Sequence, residues 1–137
     1  MRRSEVREVL FKILFRAEFN DISEMPDQIQ YFFNVDTEVD GGKISEEDQG
    51  YISKREQDII NHLSEIDAAI TDKVTGWTID RMGKVDVAVI RLAVYEIMFD
   101  DDIPVGVSIN EAVELAKKYG RDESGSFVNG VLAKFAK

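Results

Sequence analysis

Apolar residues recur at intervals of three and four along most of this chain, which is the spacing that places side chains on one face of an α-helix. In the first segment we predict a helix that is buried over a wide arc, because a stripe of phenylalanines flanks the core stripe. These residues are Val6, Val9, Leu10, Ile13, Leu14 and Ala17, flanked by Phe11, Phe15 and Phe19. No alternating pattern long enough for a strand occurs, so the pattern predicts an all-α protein.

Helix starts and short polar breaks divide the rest of the chain. Helices are expected to begin near Pro26, because proline suits the first turn, and near Ser45 and Ser64, each followed three residues later by aspartate. Residues 34–44 should form the least ordered loop. Residues 84–99 are the most apolar segment. Helices joined by short turns predict two small helical subdomains that share one core.

Two helices joined by a tight turn are predicted near the C-terminus. Ser108 and Glu111 form an S-x-x-E capping box, and Gly120 should end that helix in the left-handed conformation. The last helix carries Phe127 and Gly130. A glycine within a helix costs about 1 kcal/mol relative to alanine. Gly130 therefore indicates either that another helix crosses closely or that the backbone of a ligand approaches.

Composition narrows the class of protein. The chain has 137 residues, 44% of them hydrophobic, which suffices for the core of one domain spanning residues 1–137. It has no cysteine, which excludes disulfides and thiolate metal sites and permits an intracellular location. No apolar run approaches the roughly 20 residues that span a bilayer, and the N-terminal segment lacks the features of a secretory signal.

Charge is distributed unevenly along the chain. The formal net charge is −10, which argues against non-specific binding to nucleic acid. Residues 1–19 hold five basic and three acidic residues, residues 20–72 hold three and fourteen, and residues 73–137 hold nine and ten. The chain is therefore acidic in its middle, with a basic N-terminal end.

Few residues have the chemistry of a catalytic or metal site. His62 is the only histidine, and its place at the end of a predicted helix is typical of a surface residue. Asp100, Asp101 and Asp102 could attract a divalent cation, but a solvated loop is the simpler interpretation, since hard cations need oxygens from several directions. For Trp77, core packing at a helix junction is preferred over stacking. These observations predict that the chain is not an enzyme.

The arginines at the N-terminal end point to an anionic ligand. Arg2, Arg3 and Arg7 lie in or just before the first turn of the first predicted helix, where cations oppose the helix dipole at roughly 0.3–1 kcal/mol each. The amides of a helix N-terminus bind anions, and arginine forks recognise phosphates. The alternative is plain solubility, with Glu5 and Glu8 partly neutralising the arginines.

Five segments of the chain, in the same order, resemble the NusB family of bacterial transcription antitermination factors. They are RRSEVREVLFKILFRAEF, VDVAVIRLAVYEIMF, the DIP turn, VSINEAVELAKKYG and SGSFVNGVL. The specific part is INEAVELAKKYG followed by FVNGVL, and the resemblance covers nearly the whole chain. It implies an all-helical fold of about seven helices in two three-helix bundles.

The resemblance also implies a function and partners. Members of the family bind the single-stranded boxA element of nascent ribosomal RNA transcripts together with NusE, a ribosomal protein of the small subunit. With NusE they help to load an antitermination complex on RNA polymerase. By this resemblance the chain is a cytoplasmic bacterial factor that has no catalytic activity and needs no cofactor or metal.

The resemblance and the charges together predict a surface in two parts. Arg2, Arg3 and Arg7 are expected to face RNA, with Phe127 nearby as a stacking surface for an unpaired base, unless Phe127 is a core residue. An acidic face, formed by Glu96 and the loop Asp100–Asp102, is expected to meet the partner. Because Glu5 and Val6 stand where basic or small residues are common in the family, and because the acidic middle block repels RNA, binding is expected to need the basic partner.

Other functions remain open from the residues alone. The same fold resembles the N-terminal RNA-binding module of certain ribosomal RNA methyltransferases, although this sequence has no room for the nucleotide-cofactor domain of such an enzyme. A helical adaptor that binds the ribosomal protein without contacting RNA is a second alternative. Self-association to a homodimer, through an apolar surface beside the first helix, is also open.

Overall fold

Seven α-helices form most of the structure, a computed structural model that describes residues 1–35, 38–39 and 42–136. The helices are α1 Arg3–Phe15, α2 Met25–Val35, α3 Glu46–Asn61, α4 Leu63–Lys73, α5 Lys84–Phe99, α6 Val105–Tyr119 and α7 Ser124–Ala133. Short 3-10 turns lie at Arg16–Glu18, Ile22–Glu24 and Ile79–Arg81. The predicted all-α class is confirmed. None of these helices is long and apolar enough to span a membrane, within the residues described.

Two strands of two residues each are the exception to this helical pattern. β1 Glu38–Val39 pairs antiparallel with β2 Gly42–Lys43. They fall within the loop predicted at 34–44, of which residues 36, 37, 40 and 41 lie outside the described residues. Strands this short lack the alternating pattern that a sequence would need to reveal them.

The chain divides into two compact units, unit 1 (Met1–Asn61) and unit 2 (His62–Lys137). Unit 1 contains α1, α2 and α3, and unit 2 contains α4 to α7. The resemblance implied about seven helices in two three-helix bundles. The described residues form seven α-helices, three in unit 1 and four in unit 2. The two predicted helical subdomains correspond to these two units, although the sequence predicted no boundary between them.

The core of unit 1 is formed where α1 packs against α2 and α3. The predicted stripe of α1 is buried at its centre, but Phe15 is half-exposed and Phe19 is exposed. The largest fully buried apolar side chains described in the unit are Ile13, Leu14, Met25, Ile29, Phe32, Ile52 and Ile59. The phenylalanine stripe therefore reaches the surface at the end of the helix, and the predicted wide arc of burial holds only for its central turns, residues 7–14.

One carboxyl group lies within the apolar core of unit 1. Glu56 of α3 is fully buried, one turn from Ile52 on one side and Ile59 on the other. Neither carboxylate oxygen has a hydrogen-bond partner among the described residues. Because burial without a partner disfavours the charged form, the pKa of Glu56 is raised well above its ordinary value.

Unit 2 is built around α5, whose side chains are buried on nearly every face. Helices α4, α6 and α7 pack against it. One charged pair joins two of these helices: Arg91 of α5 donates two hydrogen bonds to Asp67 of α4, at 2.9 and 2.8 Å. Such a bidentate pair fixes the orientation of the two helices as well as their distance.

Two predicted helix starts have different outcomes. The start at Ser45 is confirmed, because the Asp48 backbone N–H donates to the Ser45 hydroxyl oxygen at 3.1 Å. A helix also begins near Ser64, but α4 starts at Leu63 after His62, so the predicted capping role of Ser64 is wrong. Asp67, three residues after Ser64, binds Arg91 instead of serving the helix terminus.

The capping box predicted at the start of α6 is also wrong. The helix begins at Val105 after Pro104, so Ser108 lies one turn inside it and is buried. Its hydroxyl donates to Glu96 Oε1 of α5 at 2.7 Å. The serine therefore links two helices of the core and does not satisfy the N–H groups of a helix end.

Gly120 ends α6 as predicted, but not in the left-handed conformation. Its backbone is extended, with φ −95° and ψ −161°. A side chain there would place a Cβ 2.5 Å from the Ser124 hydroxyl oxygen and 2.7 Å from the Ala116 carbonyl oxygen. The position thus needs glycine because of the close approach of α7, and not because of its backbone conformation.

Candidate nucleic-acid interface

The N-terminus of α1 holds the predicted arginines and a carboxylate that accepts hydrogen bonds from one of them. Arg2 precedes the helix, and its backbone N–H donates to Glu5 Oε1 at 2.9 Å while its Nε donates to the same atom at 3.3 Å. The backbone hydrogen bond from Arg2, followed by that from its side chain, lowers the pKa of Glu5. Glu5 therefore satisfies one amide of the helix end and partly neutralises Arg2.

Exposure separates the three predicted arginines. The side chain of Arg2 is 80% exposed, and Arg3 is also exposed. Arg7, however, is only 7% exposed, because it lies a turn further along α1, beside the buried Leu10 and Phe11. Of the three predicted arginines, only Arg2 and Arg3 are therefore exposed to solvent.

A turn between α4 and the following 3-10 turn presents Trp77. Val74 is buried and anchors the end of α4, while Gly76 has φ 85°, the only positive φ within the described part of the chain. A side chain at that φ would be strained. The turn leaves Trp77 49% exposed, so the expectation that it packs in the core is wrong.

Phe127 of α7 lies against this tryptophan. The two rings meet edge to face, with centroids 5.4 Å apart and an interplanar angle of 63°. Phe127 is half-buried, so it combines the two interpretations that its sequence left open: one part of the ring packs and another reaches the surface. Trp77 and Phe127, named here the aromatic pair, form an apolar surface on unit 2.

Gly130 lies one turn further along α7, on the side of Phe127. It is exposed, and a Cβ built on it would have no heavy atom within 4 Å in the described structure. Close packing of another helix, the first of its two predicted explanations, is therefore wrong. Within this chain, nothing accounts for the roughly 1 kcal/mol that a helical glycine costs relative to alanine.

The residues predicted to meet a partner protein also differ in exposure. Glu96 is buried and accepts the hydrogen bond from Ser108, so it is not part of an exposed acidic face. Asp101 and Asp102 are exposed, and Asp100 is half-exposed. The Asp102 backbone N–H donates to Asp100 Oδ1 at 3.0 Å. The acidic loop is thus a local turn whose outer carboxylates face solvent.

Catalytic and metal chemistry find no further support in the described residues. His62 lies at the start of α4, where its ring packs against Phe99 with centroids 4.3 Å apart. In the part of the chain that the structure describes, no group of three or more histidine, aspartate or glutamate side chains is arranged to hold a metal ion.

Comparison with known proteins identifies the family to which this arrangement belongs. The sequence model of the NusB family matches residues 4–137. The chain belongs to the NusB family. Arg2 and Arg3 precede the matched residues, whereas Arg7 and the aromatic pair lie within them. The match spans residues of both units, and the resemblance noted from the sequence is confirmed.

Individual NusB proteins are similar over the full length. The transcription antitermination protein NusB of Agathobacter rectalis is 57% identical over 136 residues, which are 99% of this chain and 100% of that protein. The structure of T. maritima NusB has a TM-score of 0.84 at 33% identity, covering 99% of this chain and 91% of that one. A crystal structure of the antitermination factors NusB and NusE in complex with dsRNA has a TM-score of 0.74 at 27% identity, covering 97% and 94%.

Sequence reasoning weighed a stacking role for Trp77 but preferred core packing. A signal for a turn was present, because Gly76 directly precedes it and glycine marks turns. The burial of Arg7 and Glu96 could not be read from the sequence, because it depends on which side of a helix meets another helix.

Proposed function

We propose that this chain is a transcription antitermination factor that binds the boxA element of nascent ribosomal RNA transcripts together with NusE. The observation that carries the proposal is the match to the NusB family over residues 4–137. The similarity to NusB in a complex with NusE and RNA supports it. The factor acts on RNA polymerase in the bacterial cytoplasm as a binding protein, without catalytic activity.

Unit 1 offers exposed positive charge to the RNA. Arg2 and Arg3 are exposed at the N-terminus of α1, where backbone amides add to the attraction for phosphate. Guanidinium groups hold phosphates with paired hydrogen bonds. Arg7 is buried, so we assign it a role in positioning α1 and not in the direct contact that its sequence position suggested.

The aromatic pair gives unit 2 a surface for an unpaired base. An exposed tryptophan held edge to face against Phe127 is fixed in orientation before a ligand arrives. Stacking of a base on an aromatic ring contributes about 1–3 kcal/mol. A single-stranded element such as boxA offers bases whose faces are free to stack.

Charge also explains why the proposed factor works with a ribosomal protein. The net charge of −10 opposes association with RNA, and a basic partner supplies the cations that neutralise phosphates. The exposed Asp101 and Asp102 attract such a partner to unit 2. We therefore propose that this acidic loop belongs to the NusE-binding surface, without Glu96.

The test is a filter-binding titration of boxA RNA at two salt concentrations, with and without NusE. Binding should be tighter with NusE and weaker at the higher salt concentration. Arg2→Ala/Arg3→Ala should weaken binding and reduce the salt dependence by one to two released counterions, roughly one per contact. The control Lys54→Ala/Lys84→Ala removes the same charge from exposed positions elsewhere and should change binding less.

Two results would contradict the proposal. In the first, NusE still binds the chain, but RNA binds neither the chain alone nor its complex with NusE. The chain would then be an adaptor without an RNA role. If the arginine double variant and its lysine control have the same effect, the contribution of Arg2 and Arg3 is only that of net charge. Trp77→Ala tests the aromatic pair separately, and its loss of affinity should persist at the higher salt concentration, because stacking does not release counterions.

A further inference from the structure

Gly130 is a helical glycine that the fold itself does not require. It lies in the seventh of the ten positions of α7, where alanine would favour the helix. Its surroundings are open, since a Cβ there would have no neighbour within 4 Å in the described structure. By contrast, Gly125 of the same helix is buried, and a Cβ on it would lie 3.0 Å from the side chain of Lys117. Gly125 is explained by packing, and Gly130 is not.

The neighbours of Gly130 on α7 have the chemistry of an RNA contact. Phe127 and Lys134 precede and follow it by three and four residues, so the three positions share one side of the helix. Phe127 carries the exposed Trp77 against its ring, and Lys134 is exposed. Along one side of the helix, the apolar stacking surface is thus followed by a position without a side chain and then by a cation.

We propose that Gly130 is the point at which the sugar–phosphate backbone of bound single-stranded RNA approaches α7 most closely. A nucleotide stacked on the aromatic pair would direct its backbone along the helix towards Lys134, over the glycine. This inference rests on the proposed function and deepens it, because it assigns a contact that neither charge nor stacking supplies. The physical basis is distance: a Cβ projects about 1.5 Å from the helix backbone.

Displacement by even part of that distance is costly for a close contact. A gap of 0.5–1 Å forfeits about a quarter to a half of the dispersion energy between facing atoms, and it moves the stacked base off its ring. Substitution of Gly130 should therefore have opposite effects on folding and on binding. This opposition of sign distinguishes a ligand contact from a structural role, for which both effects would be unfavourable.

The test uses Gly130→Ala in the full chain, with Gly106→Ala as its matched control. Gly106 is also an exposed helical glycine of unit 2 with no atom within 4 Å of a Cβ. Thermal unfolding and boxA RNA binding, at saturating NusE, are measured for both variants. Gly130→Ala should raise the unfolding midpoint, by roughly 2–8 °C, and lower RNA affinity about three- to tenfold. Gly106→Ala should raise the midpoint without changing RNA affinity.

Each other outcome overturns the inference in a recognisable way. RNA affinity that is unchanged in Gly130→Ala and in the bulkier Gly130→Leu would show that no RNA backbone passes there. A lower unfolding midpoint for Gly130→Ala would show that the position is structural after all. Weaker NusE binding with unchanged RNA binding would identify a protein occupant. In all three cases, the loss of RNA affinity in Arg2→Ala/Arg3→Ala would leave the proposed function standing.

Discussion

Replacing Glu56 with methionine should stabilise unit 1, because the native carboxyl group is fully buried and neither of its oxygens has a hydrogen-bond partner in the described part of the chain. A polar group buried without a partner costs about 1–3 kcal/mol. Because the pKa of Glu56 is raised, the folded native chain must also bind a proton to keep this group neutral at pH 7, and that step costs free energy. For a group of ordinary pKa 4.5, that cost reaches at most about 3 kcal/mol at pH 7. We expect Glu56→Met to gain about 1–6 kcal/mol at pH 7.

The gain should depend on pH in a defined direction. Because the folded pKa of Glu56 lies above the unfolded one, the folded state binds more protons than the unfolded state between those two pKa values. The contribution of Glu56 to stability is therefore full below about pH 4.5 and is lost as the pH rises through the folded pKa. The advantage of Glu56→Met should grow from pH 4.5 upwards.

Urea denaturation followed by circular dichroism, between pH 4.5 and 8, measures this difference. Amide hydrogen exchange in α1 and α3 assigns the change to unit 1. Glu47→Met is the control, because Glu47 lies exposed in the first turn of α3, where its loss costs at most about 1 kcal/mol. The reasoning is refuted if Glu56→Met is less stable than the native chain, or if the difference between them is the same at every pH.

Three further substitutions test contacts within unit 2. Gly120→Ala should destabilise the protein by about 1–3 kcal/mol in thermal unfolding, because its Cβ overlaps the backbone of α6 and a side chain of α7; an unchanged midpoint would contradict the close approach. Ser108→Ala removes a hydrogen bond to the buried carboxylate of Glu96 and should cost about 1–3 kcal/mol of stability in urea denaturation. Unchanged stability would show that this bond contributes nothing. Asp67→Asn weakens the bidentate pair with Arg91, which is partly exposed; the expected loss is about 1 kcal/mol, and equal losses at low and high salt would argue against an ionic origin.

The helices were predictable from the sequence because their apolar spacing is local information. Residues 84–99 form α5 at the predicted bounds, since its side chains are apolar on nearly every face and no alternative period competes. Where polar residues were interpreted by local rules, the outcome depended on their partners. Ser45 does cap a helix, whereas Ser108 binds a residue 12 positions away and Asp67 one 24 positions away.

The candidate interface was predictable in its residue types but not in its exposure. Two of the three arginines and Phe127 reach the surface, while Arg7 is buried and Trp77, assigned to the core, is exposed. Periodicity states which side chains share a face, but it does not state which of two adjacent faces meets another helix. For Gly130 the sequence left two explanations, and only the open space around it excluded close helix packing.

The turn at Gly76 also equips the protein with its own optical reporter. Trp77 is the only tryptophan in the sequence, so all tryptophan emission originates at the aromatic pair. Its half-exposed indole should emit at wavelengths between those of a buried and a fully hydrated ring. A base stacked on it would quench that emission, so the arrival of unlabelled RNA could be timed by stopped-flow mixing.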